Sequence, residues 1–310
     1  MKVGLTPTQT LYTPKRFIVN PTYYKIKGKI RRRHEIAIIL PTYCEAGNIK
    51  RLIEQIQNLK IDPLILVIDD SSPDGTSKIV EELQKKYSNI LLVVRPGKMG
   101  LGTAITDAFK ILLSLKNKPK YIITMDADFS HNPKDIPRLV SLAKKGYDLV
   151  LGSRYCIGGK VRKWSPIRIL ISKIANKLAA TLLNIKVNDC TSGFRCYSIK
   201  FLKRIIKNLH SQTYEIQIET IRQAVKNGFL AAEIPITFTN RKLGKSKLTL
   251  NEITNFVSFI TKANLEHHFN VSIRMLTTST HRNRFEETAL ASFNSSFLGY
   301  IEYAKKLNVT

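Results

Sequence analysis

Two aspartates separated by a single residue, Asp126 and Asp128, are the residues most suited to bind a divalent cation. The apolar run Tyr121–Met125 immediately before them predicts a buried strand, so both carboxylates would lie just past its end. Mg²⁺ and Mn²⁺ prefer oxygen ligands and usually complete their coordination with substrate phosphates. Turn aspartates can have the same spacing, so this pair alone does not establish a metal site.

A second acidic pair, Asp69-Asp70, follows the apolar run Leu64–Ile68. Adjacent carboxylates repel each other unless a cation or a hydrogen-bonding ligand compensates. A ribose, a base or a cation would do so, but the two residues could also cap the turn formed by residues 71–75. Both acidic pairs and Glu45 come after predicted strands, which favours one shared ligand site.

The elements that must position these acids alternate regularly from residue 35 onwards. The predicted strands are Glu35–Leu40, Leu64–Ile68, Ile90–Val94, Tyr121–Met125 and Asp148–Gly152, and the predicted helices between them are Asn48–Leu59, Thr76–Tyr87, Gly100–Leu115 and Pro133–Lys145. Further helices are expected near 166–183, 198–208, 215–227 and 250–263, with another strand at Ala232–Phe238. This order predicts an α/β fold, a mostly parallel sheet with helices on both faces, which binds ligands beyond the carboxyl ends of its strands.

The chain is strongly basic, with 50 Lys and Arg against 23 Asp and Glu and a net charge of +27. Such a charge favours anionic partners: nucleic acid, acidic lipid headgroups or phosphorylated substrates. Residues 156–210 contain twelve basic residues and one acid, Asp189. Because no zinc-finger, helix-turn-helix or RRM signature is present, nucleic-acid binding is a remote alternative, and we expect no nucleic-acid partner.

Three segments differ in composition: a flexible basic arm at 1–34, a catalytic domain at 35–262, and a C-terminal tail of unassigned structure at 263–310. The chain shows no secretory-signal pattern and no apolar run of 18 residues, so we expect no transmembrane helix. We expect a peripheral protein on the cytoplasmic side of a membrane, held by its basic surface or by a membrane-anchoring partner protein. Apolar residues of helix 166–183 would face lipid or pack on the sheet: Ile167, Ile169, Leu170, Ile171 and Ile174.

Seven short pieces occur in a characteristic order along residues 35–262. They are Pro41-Thr42-Tyr43-Cys44-Glu45, Val67-Ile68-Asp69-Asp70-Ser71-Ser72-Pro73-Asp74-Gly75-Thr76, Gly100-Leu101-Gly102, Met125-Asp126-Ala127-Asp128-Phe129-Ser130-His131, Gly152-Ser153-Arg154-Tyr155, Ser192-Gly193-Phe194-Arg195 and Gly244-Lys245-Ser246-Lys247-Leu248. In this combination the chain resembles the family 2 glycosyltransferases, and most closely the dolichyl- or polyprenyl-phosphate mannose synthases. The resemblance implies a nucleotide-diphospho-sugar transferase fold of the GT-A, Rossmann-like type.

The resemblance also implies a role for particular residues. Those implied to hold the base and ribose of the nucleotide are Pro41, Tyr43, Glu45, Ile68 and Asp70. Those implied at the metal–diphosphate site are Asp126, Ala127, Asp128 and Ser130, with Asp126, Asp128 and Ser130 as ligands of Mg²⁺ or Mn²⁺. Arg154, Arg168, Arg241 and Lys247 would surround the phosphates and the acceptor, and the catalytic candidates are Asp128, Arg154, Arg241 and Lys247. Two residues depart from the family pattern: Cys44 stands where Asn is usual, and Ser130 where Gln also occurs.

The implied reaction transfers mannose from GDP-mannose to a dolichyl or polyprenyl monophosphate with inversion. A phosphate monoester has a second pKa of about 6, so the acceptor needs no dedicated base. A UDP-sugar-dependent glucosyl- or N-acetylhexosaminyltransferase acting on the same kind of lipid is the main alternative. A processive polysaccharide synthase is disfavoured because its expected Gln-x-x-Arg-Trp is missing and Trp164 is the only tryptophan. A catalytically silent module that anchors a partner is the remaining alternative, and the retained acids argue against it.

Overall fold

The computed structural model describes residues 24–240, which form one eight-stranded sheet, one two-stranded sheet and seven α-helices. The strands are β1 (Lys25–Lys27), β2 (Ile36–Thr42), β3 (Leu64–Asp69), β4 (Ile90–Val94), β5 (Tyr121–Thr124), β6 (Leu149–Ser153), β7 (Lys160–Arg162), β8 (Arg195–Ser198), β9 (Ala231–Pro235) and β10 (Thr237–Thr239). The helices are α1 (Ala46–Gln57), α2 (Thr76–Lys86), α3 (Leu101–Ser114), α4 (Ile136–Lys144), α5 (Pro166–Leu182), α6 (Ile199–Ile205) and α7 (Ile216–Lys226). Short 3₁₀ turns at Pro133–Asp135 and Ile206–Asn208 adjoin α4 and α6.

The large sheet has the strand order β1-β4-β3-β2-β5-β8-β6-β9. Strands β4, β3, β2 and β5 are mutually parallel, and β6 pairs in parallel with β9. Only β1 and β8 run antiparallel to their neighbours in this sheet of the described chain. Five strands, β2 to β6, therefore end at the same edge of the sheet, and β8 begins at that edge.

Helices cover both faces of the sheet, as the sequence predicts. On one face, Ile53 of α1 and Leu139 of α4 are buried with Leu40 and Val67 of the strands. The opposite face carries α3 and α6, where Phe109 packs edge-on against Tyr197 of β8 at 5.1 Å between ring centroids. Strands buried on both faces must be apolar throughout, which is why the parallel strands appear in the sequence as unbroken aliphatic runs.

Several predicted elements differ from the structure. Strand β8 was not predicted, because it has four residues and begins with the charged Arg195. The single strand expected at Ala232–Phe238 is wrong: it divides into β9, in the large sheet, and β10, which pairs with β7. The predicted helix at 250–263 lies outside the described residues.

Part of the predicted flexible arm is ordered in the sheet. Lys25–Lys27 forms β1 and pairs with β4 in the register Lys25↔Val94 to Lys27↔Leu92. The sequence analysis did not predict this strand, because a single isoleucine between two lysines gives no recognisable apolar pattern. Residues 1–23 and the tail at 263–310 lie outside the described part, so the division into three segments remains a prediction. In residues 24–240, no helix combines the length and apolarity needed to cross a membrane.

Candidate active site at the carboxyl edge of the sheet

The strand register brings the predicted polar residues to one edge. Thr42 lies opposite Asp69, and Asp69 lies opposite Val94, so the residues that follow β2, β3 and β4 are neighbours. The β5 end carries Asp126, and Thr124 pairs with Arg195 at the start of β8. The rule that ligand-binding residues follow parallel strands therefore places these acids together.

The two adjacent aspartates after β3 have different roles. Asp69 has no exposed surface and accepts hydrogen bonds from Thr42 Oγ1 (2.7 Å), Ser77 Oγ (2.7 Å), Ser72 Oγ (2.6 Å) and Ser72 N (2.9 Å). A carboxylate saturated in this way fixes the turn after the strand. Asp70 forms an ion pair with Arg95 instead, and its Oδ2 accepts from the amide of Met99 at 3.1 Å. Only one aspartate of the pair is thus placed for a ligand role.

Arg95, the first residue after β4, was not among the predicted site residues. It is completely buried, and its Nε donates to Asp70 Oδ1 at 2.6 Å. Its remaining contacts are with Thr103 Oγ1 (2.8 Å), the carbonyl of Gly100 (3.0 Å) and Asp107 Oδ2 (3.3 Å). Burial raises the pKa of Asp70, although the Arg95 charge acts in the opposite direction. The strand-end rule that selected Asp70 also applies to Arg95 and would have found it.

The turn after β2 is held by a carboxylate that serves two helices. Asp74 accepts from the amide of Ala46, the first residue of α1, at 2.9 Å, and from the amide of Thr76, the first residue of α2, at 3.1 Å. Burial acts to raise the pKa of Asp74, but these donors and the Thr76 hydroxyl hold it below its usual value. A negative charge at two helix N-termini is favourable because the amides there lack helical partners.

The residues implied to bind the nucleotide lie around this turn with unequal exposure. Glu45 is buried and accepts from Asn48 Nδ2 at 2.9 Å, while Tyr43 is half-buried under Lys98, whose Nζ lies 5.1 Å from the ring centroid. Pro41 is half-buried and lies opposite Ile68 in the β2–β3 register. Ile68 has no exposed surface, so its side chain packs inside the fold, and its contact with a nucleotide remains a prediction.

Cys44 has a positive φ of 58° between β2 and α1. Asn is enriched in this left-handed region because its short polar side chain tolerates it. This conformation gives a physical reason for the asparagine that the family pattern has at this position. Cys44 is exposed, and none of the four cysteines, all of which lie within the described residues, forms a disulfide.

The pair after β5 combines a buried and an exposed carboxylate. Asp128 is 6% exposed and accepts from both the amide and the hydroxyl of Ser130. Asp126 has a 40% exposed side chain and lies 3.7 Å from Nδ1 of the buried His131. Burial lowers the pKa of His131, although Asp126 and Asp128 act to raise it. Ser130 therefore orients Asp128 in this structure, and its predicted direct bond to a metal ion remains a prediction. Ala127 between them is buried.

Gly193 lies next to the exposed Asp126 carboxylate. A Cβ on Gly193 would lie 3.4 Å from Asp126 Oδ1, so glycine at this position keeps that side of the carboxylate open. No group of three or more His, Cys, Asp or Glu residues is arranged to hold a metal ion within residues 24–240. Mg²⁺ is commonly held by one or two carboxylates together with substrate phosphates, which is the donor set that Asp126 and Asp128 provide.

Arg154, which follows β6, is held by Asp189. Its Nε and backbone amide donate to Asp189 Oδ2 at 2.7 and 2.9 Å, and its Nη2 donates to Asp189 Oδ1 at 2.7 Å. Burial acts to lower the pKa of Arg154, but the Asp189 charge outweighs it and raises that pKa. In the sequence, Asp189 stands out only as the one acid in a basic block. Its contact with Arg154 could not be predicted, because no spacing rule applies to residues 35 positions apart.

Aromatic rings surround this buried cation on its remaining sides. The Arg154 guanidinium lies 5.1 Å from the ring centroid of Tyr155, 5.4 Å from that of Phe238 and 5.6 Å from that of Trp164. Arg168 lies over Trp164 at 4.0 Å. The structure therefore places Arg154 and Arg168 around the same indole ring, whereas Arg241 and Lys247 lie outside the described residues.

Comparisons with known proteins identify the family of the chain. The family described as Glycosyl transferase family 2 matches residues 37–229. The chain is 37% identical to a polyprenol monophosphomannose synthase of Mycolicibacterium smegmatis, over 72% of this chain and 84% of that protein. It is 31% identical to an undecaprenyl-phosphate mannosyltransferase of Micrococcus luteus, over 69% of this chain and 87% of that protein.

A solved structure shares the fold. The glucosyl-3-phosphoglycerate synthase of Mycobacterium tuberculosis, crystallised with Mn²⁺ and UDP, superposes with a TM-score of 0.54 at 19% identity, over 75% of this chain and 79% of that chain. The predicted fold class is confirmed, and so is the resemblance from which the site residues were assigned. The chain belongs to glycosyl transferase family 2 and is a glycosyltransferase.

Proposed function

We propose that the chain transfers mannose from GDP-mannose to a polyprenyl or dolichyl monophosphate, inverting the anomeric carbon. The observation that carries the proposal is the match over more than four-fifths of two relatives, 84% and 87% of their lengths. Their names specify synthesis of polyprenol monophosphomannose and mannosyl transfer to undecaprenyl phosphate. The edge of the sheet supports it by bringing together carboxylates and basic groups of the kind that a nucleotide-diphosphate donor requires.

The donor nucleotide would lie over the ends of β2 and β3. Asp70 and Glu45 would accept hydrogen bonds from ribose or base, and Tyr43 would contribute an aromatic face. Asp70 is already oriented by Arg95 and by the amide of Met99. A carboxylate fixed in advance loses little conformational freedom when the nucleotide binds.

The donor diphosphate would lie over the end of β5. Asp126 and Asp128 would hold Mg²⁺ or Mn²⁺, which when bound supplies Lewis-acid neutralisation of the charge on the leaving diphosphate. Ser130 keeps Asp128 in a single orientation through its amide and hydroxyl. Gly193 leaves room beside Asp126 for the reacting groups.

The acceptor phosphate would approach the side of the edge formed by β6 and α5. Arg168 would attract it, together with Arg241 and Lys247, and Arg154 would form the floor beneath it. The acceptor monophosphate carries its own ionised oxygen near neutral pH, so no side chain has to remove a proton. Attack opposite to the leaving diphosphate gives inversion.

Helix α5 supports contact with a membrane surface. Its most exposed apolar side chains are Ile167 (64%), Leu170 (58%), Ile171 (50%), Ile174 (40%) and Leu178 (39%), spaced to form one stripe. Ile169, predicted to lie with them, is half-buried instead. Exposed Lys173 and Lys177 accompany the stripe, and α5 contains no acid. An apolar stripe with basic neighbours is the pattern of a helix that lies in an anionic lipid interface.

A transfer assay tests the proposal. Purified protein is incubated with radiolabelled GDP-mannose, undecaprenyl monophosphate and Mn²⁺ or Mg²⁺, and label is counted in the organic phase. We expect label that depends on the cation, disappears with chelator, and is not replaced by UDP-glucose or UDP-N-acetylglucosamine. Transfer from a UDP-sugar alone would overturn the choice of donor, and no transfer from any donor in the presence of vesicles would overturn the proposal.

A further inference from the structure

A partly buried series of polar contacts connects the residue before β1 to the candidate nucleotide site. Tyr24 Oη donates to Asp107 Oδ2 at 2.9 Å, and Arg95 Nη1 donates to the same oxygen at 3.3 Å. Arg95 then donates to Asp70 Oδ1 at 2.6 Å. Tyr24 lies outside residues 37–229, which match the family, whereas the other three residues lie inside them.

The sheet determines where Tyr24 lies. In the β1–β4 pairing Lys25 is opposite Val94, so Tyr24 is next to the position of Arg95. The rest of the segment is fastened independently: Lys27 Nζ lies 2.7 Å from Glu81 Oε1, and Gln84 Nε2 donates to the Lys27 carbonyl at 2.8 Å. Removal of the Tyr24 hydroxyl should therefore leave β1 in place.

The charges along this series of contacts explain why the neutral Tyr24 hydroxyl matters. Arg95 has no exposed surface and lies between two carboxylates, Asp70 and Asp107, which compete for its N–H groups. A hydrogen bond from Tyr24 satisfies part of Asp107, and this helps to fix the guanidinium in the position that holds Asp70. Burial and the bond to Asp107 raise the pKa of Tyr24 to about 12, so the phenol remains a donor near neutral pH.

We propose that Tyr24 is a positioning residue for the donor nucleotide: acting through Asp107 and Arg95, it holds Asp70 in the orientation that binds nucleotide. A residue that precedes the family domain thereby adjusts donor affinity. This inference rests on the proposed function, because it assigns Asp70 to the nucleotide. It does not depend on the sugar or on the lipid.

The test compares nucleotide binding by Tyr24→Phe and by Lys27→Ala in the full chain. Tyr24→Phe removes only the hydroxyl, whereas Lys27→Ala removes an exposed ion pair on the same strand. Titration calorimetry with GDP and with UDP, each with Mn²⁺, should show dissociation constants about 3- to 10-fold higher for Tyr24→Phe, the range of one hydrogen bond, and unchanged for Lys27→Ala. In the transfer assay, the donor KM should rise by the same factor, with kcat and the acceptor KM within about twofold of wild type.

A second comparison tests the route. In an Asp107→Ala background, confirmed to be folded by its thermal transition, adding Tyr24→Phe should change nucleotide affinity by less than about 1.5-fold, because the acceptor of the Tyr24 hydroxyl is already gone. Wild-type affinity in Tyr24→Phe would overturn this inference alone, as would equal losses in Tyr24→Phe and Lys27→Ala. A wild-type chain that binds neither nucleotide would overturn the proposed function together with this inference.

Discussion

Replacing Asp189 with alanine should strongly destabilise the protein. Asp189 has no exposed surface and accepts three hydrogen bonds from Arg154 and one, at 3.1 Å, from the amide of Ser192. Without this carboxylate, the Arg154 guanidinium stays buried, with Thr191 Oγ1 and aromatic rings as its neighbours. Leaving one charge of a buried pair uncompensated costs about 3–5 kcal/mol.

This cost corresponds to a large thermal shift. For a domain of this size each kcal/mol lowers the melting temperature by about 2–4 °C, so Asp189→Ala should melt about 6–20 °C below wild type. Circular dichroism melts and urea unfolding both measure the effect. The control is Glu82→Ala, which breaks the Lys85–Glu82 pair, whose side chains are 72% and 69% exposed. Surface pairs of this kind contribute about 0–1 kcal/mol.

Two results would refute the reasoning. One is a melting temperature for Asp189→Ala as close to wild type as that of Glu82→Ala. The other is a double variant, Arg154→Met with Asp189→Leu, that is no more stable than Asp189→Ala, because replacing both charges by apolar groups should remove the cost of the unpaired cation. The double variant should still lose sugar transfer, which separates the structural role of the pair from the predicted role of Arg154 beside the phosphates.

Three further predictions concern the metal site, the pH dependence and the membrane. Asp128→Asn should reduce sugar transfer by about 10²- to 10³-fold in initial-rate assays, and unchanged turnover would exclude a role of this carboxylate in the metal site. Burial acts to raise the pKa of Asp189, but Arg154 lowers it below the unfolded value of about 3.9. The stabilisation by the Asp189 carboxylate is therefore complete above that value and is lost as the pH falls through the folded pKa. In urea unfolding, the difference in free energy of unfolding between wild type and Asp189→Ala should therefore shrink below a pH of about 4. Leu170→Glu should weaken co-sedimentation with phosphatidylserine vesicles by at least about tenfold, because burying one such side chain contributes about 1.5–3 kcal/mol. The control, Leu230→Glu, changes a leucine that is 60% exposed but lies outside α5, and it should not weaken co-sedimentation. Equal effects of the two substitutions would contradict a membrane role specific to α5.

The parallel strands could be predicted because burial on both faces requires unbroken aliphatic runs. Ile90–Val94 has the predicted bounds, and β3 extends one residue beyond its predicted end at Ile68. Once the alternation of strands and helices indicated a mostly parallel sheet, the convergence of Asp70 and Asp126 at one edge followed from that topology. The fold and the location of the site were therefore accessible from local patterns combined with one topological rule.

The remaining features depend on contacts between distant segments. Strand β8 has a buried arginine at its first position, and Arg195 is satisfied by the carbonyls of Ser192 and Cys190 and by the Thr220 hydroxyl rather than by apolar packing. Asp189 and Arg154 are 35 residues apart, and Tyr24 and Asp107 are 83 apart. No local periodicity encodes such pairs, since each of these polar residues, taken alone, is of a type common in solvent-exposed loops.

The distribution of charge at the edge restricts which groups can stabilise a leaving diphosphate. Arg95 is flanked by Asp70 and Asp107, and Arg154 is paired with Asp189, so neither of these two arginines brings net positive charge to the site. The overall charge of +27 therefore does not by itself make this edge attractive to phosphates. In the proposed function, positive charge would come from a cation held by Asp126 and Asp128, and from basic residues nearer the surface such as Lys98 and Arg168. Arg95 and Arg154 instead fix the acids and aromatic rings around them. In the proposed function their contribution is therefore geometric, and the electrostatic contribution would come from the metal ion and the surface cations.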